Sequence, residues 1–202
     1  MKKIKIYRGF ERFWHWLQAL LIITLAITGF EVHGTYTLLG FERAVRLHNV
    51  SAIALIILVV FAIFWHLTTG EWKQYIPTFK KLPEMMRYYS IGIFKNDPHP
   101  AKKSELSKLN PLQRLTYLVF KVLIIPVMVT TGLVYMFYPT LAQNGWGISL
   151  GLIAFIHTLG AFVLVLFFVI HVYMTTTGHK PTTYIKAMIT GWEEVEEAPE
   201  AA

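Results

Sequence analysis

Four apolar stretches of spanning length dictate what this chain can become: about 13–30, 50–67, 115–137 and 148–174. A helix that crosses a bilayer needs about 20 largely apolar residues. Lipid offers no partner to a backbone N–H or C=O, so each stretch must close its hydrogen bonds within its own helix. Composition agrees, with 54% hydrophobic and 15% charged residues, against about 25% charged in an ordinary soluble domain. The expected fold is all-α: an integral membrane protein built as a four-transmembrane-helix bundle over 1–190, with an acidic tail over 191–202. Met1-Lys2-Lys3-Ile4-Lys5 is like the start of a signal peptide. No small-residue cleavage site follows, and Trp14, His15 and Trp16 interrupt the apolar run, so the segment reads as a retained helix.

Charge placement gives an orientation. Of the 19 Lys and Arg, five precede the first stretch (Lys2, Lys3, Lys5, Arg8, Arg12), and nine lie between Lys73 and Arg114. Two follow the last stretch (Lys180, Lys186), two stand between stretches one and two (Arg43, Arg46), and none falls between three and four. The positive-inside rule then places both termini and the 70–111 loop in the cytoplasm. The net charge of +7 is thus a topology signal and not a nucleic-acid footprint. Within the long loop, 71–76 and 84–89 read as short amphipathic interfacial helices. The acidic run Glu193-Glu-Val-Glu-Glu-Ala-Pro-Glu reads as a solvated, disordered tail.

Zero cysteines exclude a disulfide, a thiolate-held iron–sulfur cluster and a covalently attached c-type haem. A redox group in this chain has to be held by histidine or by contacts alone. His157 and His171 share one apolar run and are fourteen residues apart, which returns them to nearly the same helix face about 21 Å apart. Imidazoles at membrane depth are costly unless they bind something. His15 and His48 begin the first two runs. Four histidines at two depths point to two bis-histidine haems, one near each membrane face. His33, His99 and His179 stand outside the stretches and read as solvated.

A weak internal duplication assigns the depths. Leu47-His-Asn-Val-Ser-Ala and Ile156-His-Thr-Leu-Gly-Ala align with a shift of 109 residues, and Tyr75-Ile76 meets Tyr184-Ile185 under the same shift. Stretches one and three also share an Arg near the start (Arg12, Arg114) and a Thr-Gly near the end (Thr28-Gly29, Thr131-Gly132). His48 therefore matches His157 at the outer level, and His15, entering after Arg12, meets His171 at the inner level. His66 competes with His15. It follows His48 by eighteen residues on the same helix face, which puts it about 27 Å deeper, roughly one turn below His171. The repeat sets residue 62, not 66, against His171. His66 is then a candidate for a quinone or proton-handling site, since imidazole changes charge near neutral pH.

Haem propionates want cations. Arg12, Arg46 and Arg114 stand within reach of the histidine levels, and Arg gives a permanent charge with a bidentate fork. Snorkelling to lipid phosphate is the competing role for each. Lys121 lies deeper in stretch three and is a candidate neighbour of a cofactor or a quinone headgroup. Pro126 is expected to kink that helix. Gly29, Gly132 and Gly160 allow either close approach of a flat macrocycle or close helix packing. A metal transporter is disfavoured because the apolar stretches hold no Asp or Glu.

Arg12-Phe-Trp-His15-Trp, Arg46-Leu-His48, and His157 followed by His171 together resemble the bacterial cytochrome b561-like group. More narrowly the chain is similar to dihaem cytochrome b subunits of formate dehydrogenase, nickel–iron hydrogenase and thiosulfate reductase, over about residues 8–190. Thr177-Gly-His-Lys-Pro-Thr and Met188-Ile-Thr-Gly-Trp192 are most similar to the thiosulfate-reductase type. The resemblance implies two b haems on the four matching histidines and an exchangeable quinone, menaquinone or ubiquinone, beside one of them. It also implies a periplasmic redox subunit of iron–sulfur, molybdopterin or multihaem cytochrome type docked near the other. His66 and the long basic loop depart from the pattern, so quinone-site details are not carried over. The expected function is a membrane-anchoring cytochrome b subunit moving electrons between the quinone pool and that partner. A free-standing small b561-type quinone oxidoreductase, and an anchor without redox chemistry, are the other readings. The docking surface expected for the partner is the pair of outer loops, about 31–46 and 138–147.

Overall fold

Apolar length sets the helices, and their ends are set by turn chemistry. The computed structural model describes residues 2–95, 97, 100, 108–178 and 180–195. A short strand β1 (Lys2–Lys5) leads into α1 (Gly9–Val32) and α2 (Phe41–Thr69). A 3-10 helix over Glu71–Tyr75 and α3 (Leu82–Ser90) follow, with a second 3-10 turn at Gly92–Lys95. Next come α4 (Pro111–Val119), a π-helical turn over Phe120–Ile124, α5 (Ile125–Met136) and α6 (Tyr138–Gln143). α7 (Leu150–Thr175), α8 (Thr183–Thr190) and β2 (Trp192–Val195) complete the chain.

Four helical runs are long and apolar enough to cross a membrane: Gly9–Val32, Phe41–Thr69, Pro111–Met136 and Leu150–Thr175. Only 6%, 22%, 11% and 6% of their most apolar windows are buried inside the protein. Leu20, Phe64 and Leu166 are among the side chains left exposed. Surface that apolar suits lipid and not water. The helices run past the apolar stretches, most of all at α2, which begins nine residues earlier than the 50–67 stretch. Arg43, Arg46 and His48 therefore lie within its first turns and not ahead of it. α1 also reaches Glu31, a buried carboxylate in its last turn. Glu31 stands just past the 13–30 stretch, which itself holds no acidic residue.

The chain divides into two compact units. The first comprises 14–65 and 120–169. Phe120 stacks on Phe167 at 4.4 Å and Phe30 meets Phe162 edge-on at 5.6 Å. A β-carbon on Gly160 would come within 2.5 Å of Met128 Sδ, so the methionine side chain packs against this glycine and would have to move aside for any larger residue. Hydroxyls in the helices bond the preceding turn: Thr24 donates to Leu20 O, Thr28 to Thr24 O, Thr130 to Pro126 O and Thr131 to Val127 O. This satisfies polar groups where lipid cannot. Glu31 Oε1 accepts the N–H groups of Leu38, Leu39 and Gly40 at 2.6–2.8 Å, which fixes the turn from α1 into α2. Pro126 lacks the N–H that would bond Val122, and the helix ahead of it takes the π-turn holding Lys121. The expected disturbance at Pro126 takes this form.

The second unit comprises 1–13, 66–119 and 170–202. β1 pairs antiparallel with β2 in the register Lys2↔Val195 to Lys5↔Trp192. Trp192–Val195 is therefore ordered strand, where the acidic run was expected to begin a solvated tail, and Glu193 is buried. Residues 196–202 of that tail, and the expected solvated His99 and His179, lie outside the described residues. Ile6, Met85 and Ala187 are fully buried. Gly191 ends α8 at φ 88, its carbonyl accepts from Ile6 and Tyr7, and a β-carbon would meet Tyr7 O at 2.7 Å. The 71–76 segment forms a 3-10 helix over Glu71–Tyr75, and the 84–89 segment lies inside α3. Lys108, 7% exposed, bonds Glu11 Oε1 at 2.8 Å and Glu71 Oε2 at 3.0 Å.

Candidate haem site

His48 and His157 are brought together in the 14–65/120–169 unit, with ring centroids 6.4 Å apart and planes at 73°. Each ring is held in the same way. His48 Nδ1 is 3.0 Å from Thr28 Oγ1, and His157 Nδ1 is 2.9 Å from Thr131 Oγ1. A glycine follows each threonine, and each leaves space against a ring. A β-carbon on Gly29 would stand 3.2 Å from His48 Cε1, and one on Gly132 would stand 3.2 Å from His157 Cε1. The sequence duplication is thus expressed as two copies of one socket.

The shortest contacts favour one arrangement of protons in each socket. Thr28 Oγ1 donates its only proton to Thr24 O at 2.7 Å, and Thr131 Oγ1 donates to Val127 O at 2.6 Å. A hydroxyl that has given away its proton offers lone pairs, so the imidazole Nδ1–H donates to it. Nε2 of each ring then carries a lone pair, the form a metal requires.

The remaining predicted residues fall as follows. His33 is exposed, with Nε2 3.1 Å from Thr158 Oγ1. His15 lies in the same unit as His48 and stands edge-on to Trp16 at 5.3 Å. Lys121 Nζ sits over the Trp14 ring, 5.7 Å from its centroid. His171 and His66 belong to the other unit. His171 Nδ1 is 3.5 Å from Tyr117 Oη, and His66, 9% exposed, has Nε2 3.4 Å from Tyr75 Oη. Burial raises the Tyr75 phenol above its ordinary range, with the charges of Glu11 and Glu71 adding to it. Tyr75 therefore stays a protonated hydroxyl beside His66. Burial also pushes Tyr184 up to about 12, helped by Glu193 and Tyr88.

The arginines differ among themselves. Arg12 donates from Nη1 to Ile189 O at 2.5 Å, while its Nε is buried with no hydrogen-bond partner among the described residues. Arg114 donates from Nε to Leu109 O at 3.1 Å. Arg46 is exposed on the second turn of α2. Two of the three thus have structural bonds that sequence alone did not show.

The family model described as prokaryotic cytochrome b561 matches residues 6–191. This chain belongs to that family. It is a multi-pass membrane cytochrome of the b561 type, an electron carrier whose family binds haem b. A relative named "Putative cytochrome YdhU" from Escherichia coli (strain K12) is 26% identical over 198 residues, covering 95% of this chain and 75% of that one. No solved structure matches the chain.

The His48/His157 site of this b561 cytochrome fits haem. The 6.4 Å centroid separation leaves room between the two rings, and His48 and His157 would be the residues to hold a haem there, which would supply a one-electron couple. The glycines leave out the atoms that would crowd the rings. Thr28 and Thr131 were visible in the sequence only as part of a repeated Thr-Gly, with no function attached. Tyr75 and Tyr117 carried no signal, because nothing in a loop or an apolar run marks which phenol will face a histidine.

Proposed function

We propose that this cytochrome carries two b haems and links the membrane quinone pool to a redox subunit on the periplasmic face. One haem is held by His48 and His157, the other by His15 and His171. The observation that carries the reading is the His48/His157 pair, with ring centroids 6.4 Å apart and Nδ1 of each ring within 3.0 Å of a threonine hydroxyl. The second pairing rests on the depths read from the sequence. Haem contributes a reversible one-electron couple, and the absence of cysteine excludes a thiolate-held iron–sulfur cluster or a covalent c-type haem in this chain. The four histidines hold and orient it. The apolar helices keep water from its faces.

Quinone chemistry also moves protons, and His66 with Tyr75 is the pair suited to hold one. The pair is partly buried, and its phenol is protonated at neutral pH. Arg12, Arg46 and Arg114 supply cations for propionates, and Lys121 a cation for a quinone headgroup. We place the chain in the bacterial inner membrane, as the family resemblance implies, with both termini cytoplasmic by the distribution of Lys and Arg.

Reduction by a quinol tests the proposal. Menaquinol or ubiquinol added to the purified, oxidised cytochrome is expected to bring up the reduced haem absorption band within seconds. His66→Ala should slow this by about a hundredfold while leaving haem content unchanged, the usual scale for a general acid–base group at its lower end. A cytochrome that dithionite reduces but neither quinol does would refute the quinone link.

A further inference from the structure

We infer that Thr28 and Thr131 are positioning residues that set the electron affinity of the haem held by His48 and His157, by accepting the Nδ1–H of each ligand. This rests on the reading that those two histidines share a haem. Three observations carry it. Each hydroxyl lies within 3.0 Å of its Nδ1. Each has a main-chain carbonyl one turn back at 2.6–2.7 Å to take its proton, which leaves its lone pairs for the ring. Both are buried, Thr28 at 1% and Thr131 at 7% exposure, so water does not replace them.

The consequence follows from ligand chemistry. An acceptor on Nδ1–H fixes the tautomer, holds the ring plane and makes Nε2 a stronger donor to the metal. A stronger donor favours the oxidised, more positive iron. Two such bonds on opposite ligands act in the same direction, and the Thr-Gly duplication supplies both. Gly29 and Gly132 complete the device, since a ring with a β-carbon pressed on Cε1 could not keep its Nδ1 on the hydroxyl.

The test uses full-length cytochrome in detergent, with redox titration of each haem and low-spin electron paramagnetic resonance. Thr28→Val and Thr131→Val keep the side-chain shape and remove the acceptor; Thr28→Ser and Thr131→Ser restore it. At a fixed ambient potential each Val variant is expected to shift the oxidised-to-reduced ratio of one haem three- to tenfold toward reduced. A tenfold shift is about 59 mV for a one-electron couple. The g values of that haem should move, the other haem should be unchanged, and the Ser variants should behave as wild type. Loss of that haem in the Val variants with retention in the Ser variants also supports the assignment. Unchanged potentials and g values with both haems bound would overturn it, as would equal loss in Ser and Val variants. If His157→Ala keeps both haems, the ligand reading itself fails, and that outcome is distinct from failure of the threonine assignment.

Discussion

Gly29 and Gly132 stand where a β-carbon would press on the ring of His48 or His157 from 3.2 Å. Contact that close makes the ring yield by a few tenths of an ångström, enough to misdirect Nε2 without disrupting a helix. Gly29→Ala and Gly132→Ala are therefore expected to weaken haem retention by roughly tenfold, the scale of damage to a ligand's supporting contacts. Thermal unfolding of the protein should change little. Transfer of haem to an excess of apomyoglobin, measured beside the unfolding curve, separates the two effects. An alanine variant that holds haem like wild type would show these glycines to be packing residues only. His15 and His66 are the other pair to separate. His15→Ala is expected to lose one haem, and His66→Ala to keep both, because His66 is engaged with Tyr75 and falls one turn off the depth of His171. Absorption spectra of the two purified variants decide it, and the reverse result would exchange their roles.

Elements were legible wherever the apolar pattern was continuous, as in 148–174, which the structure gives as Leu150–Thr175. They were less legible at ends governed by individual polar contacts. The Glu31 carboxylate gathers three N–H groups at the turn into α2, and hydropathy carries no trace of such a bond. The acidic run after Gly191 was misread for a related reason. Its composition is that of a solvated tail, yet the Lys2–Lys5 segment offers it an antiparallel partner. Gly191 makes that pairing possible by ending α8 in the left-handed region. Gly191→Ala is expected to cost about 1–2 kcal/mol for the conformation alone. The 2.7 Å approach to Tyr7 O adds to that cost. A lowered unfolding midpoint in detergent, with faster proteolysis at the N-terminus, is the expected readout. An unchanged midpoint would mean the two strands contribute nothing to stability.

At the scale of the molecule, the sequence carried the class of protein and its cofactor type, through four apolar runs, no cysteine and histidines inside those runs. It also matched His48 with His157, by the duplication. It did not carry the hydroxyls that hold them, since a threonine in an apolar helix usually bonds only its own preceding turn. A redox partner is expected on the face bearing the 31–46 and 138–147 segments, where Phe41 and Trp146 are 65% and 60% exposed and the two acidic residues (Glu31, Glu42) balance the two arginines (Arg43, Arg46). Cross-linking of the native complex should map to those segments. Cross-links confined to the 70–111 loop would place the partner on the cytoplasmic side instead.

The central claim is that four histidines of this one chain hold two b haems. Pyridine haemochrome titration against protein mass tests it most directly, on wild type and on the His48→Ala/His157→Ala double variant. The account predicts two haems per chain in the first and one in the second, the remaining haem low-spin with two imidazole ligands. One haem per chain in fully loaded wild type, or two in the double variant, would contradict it.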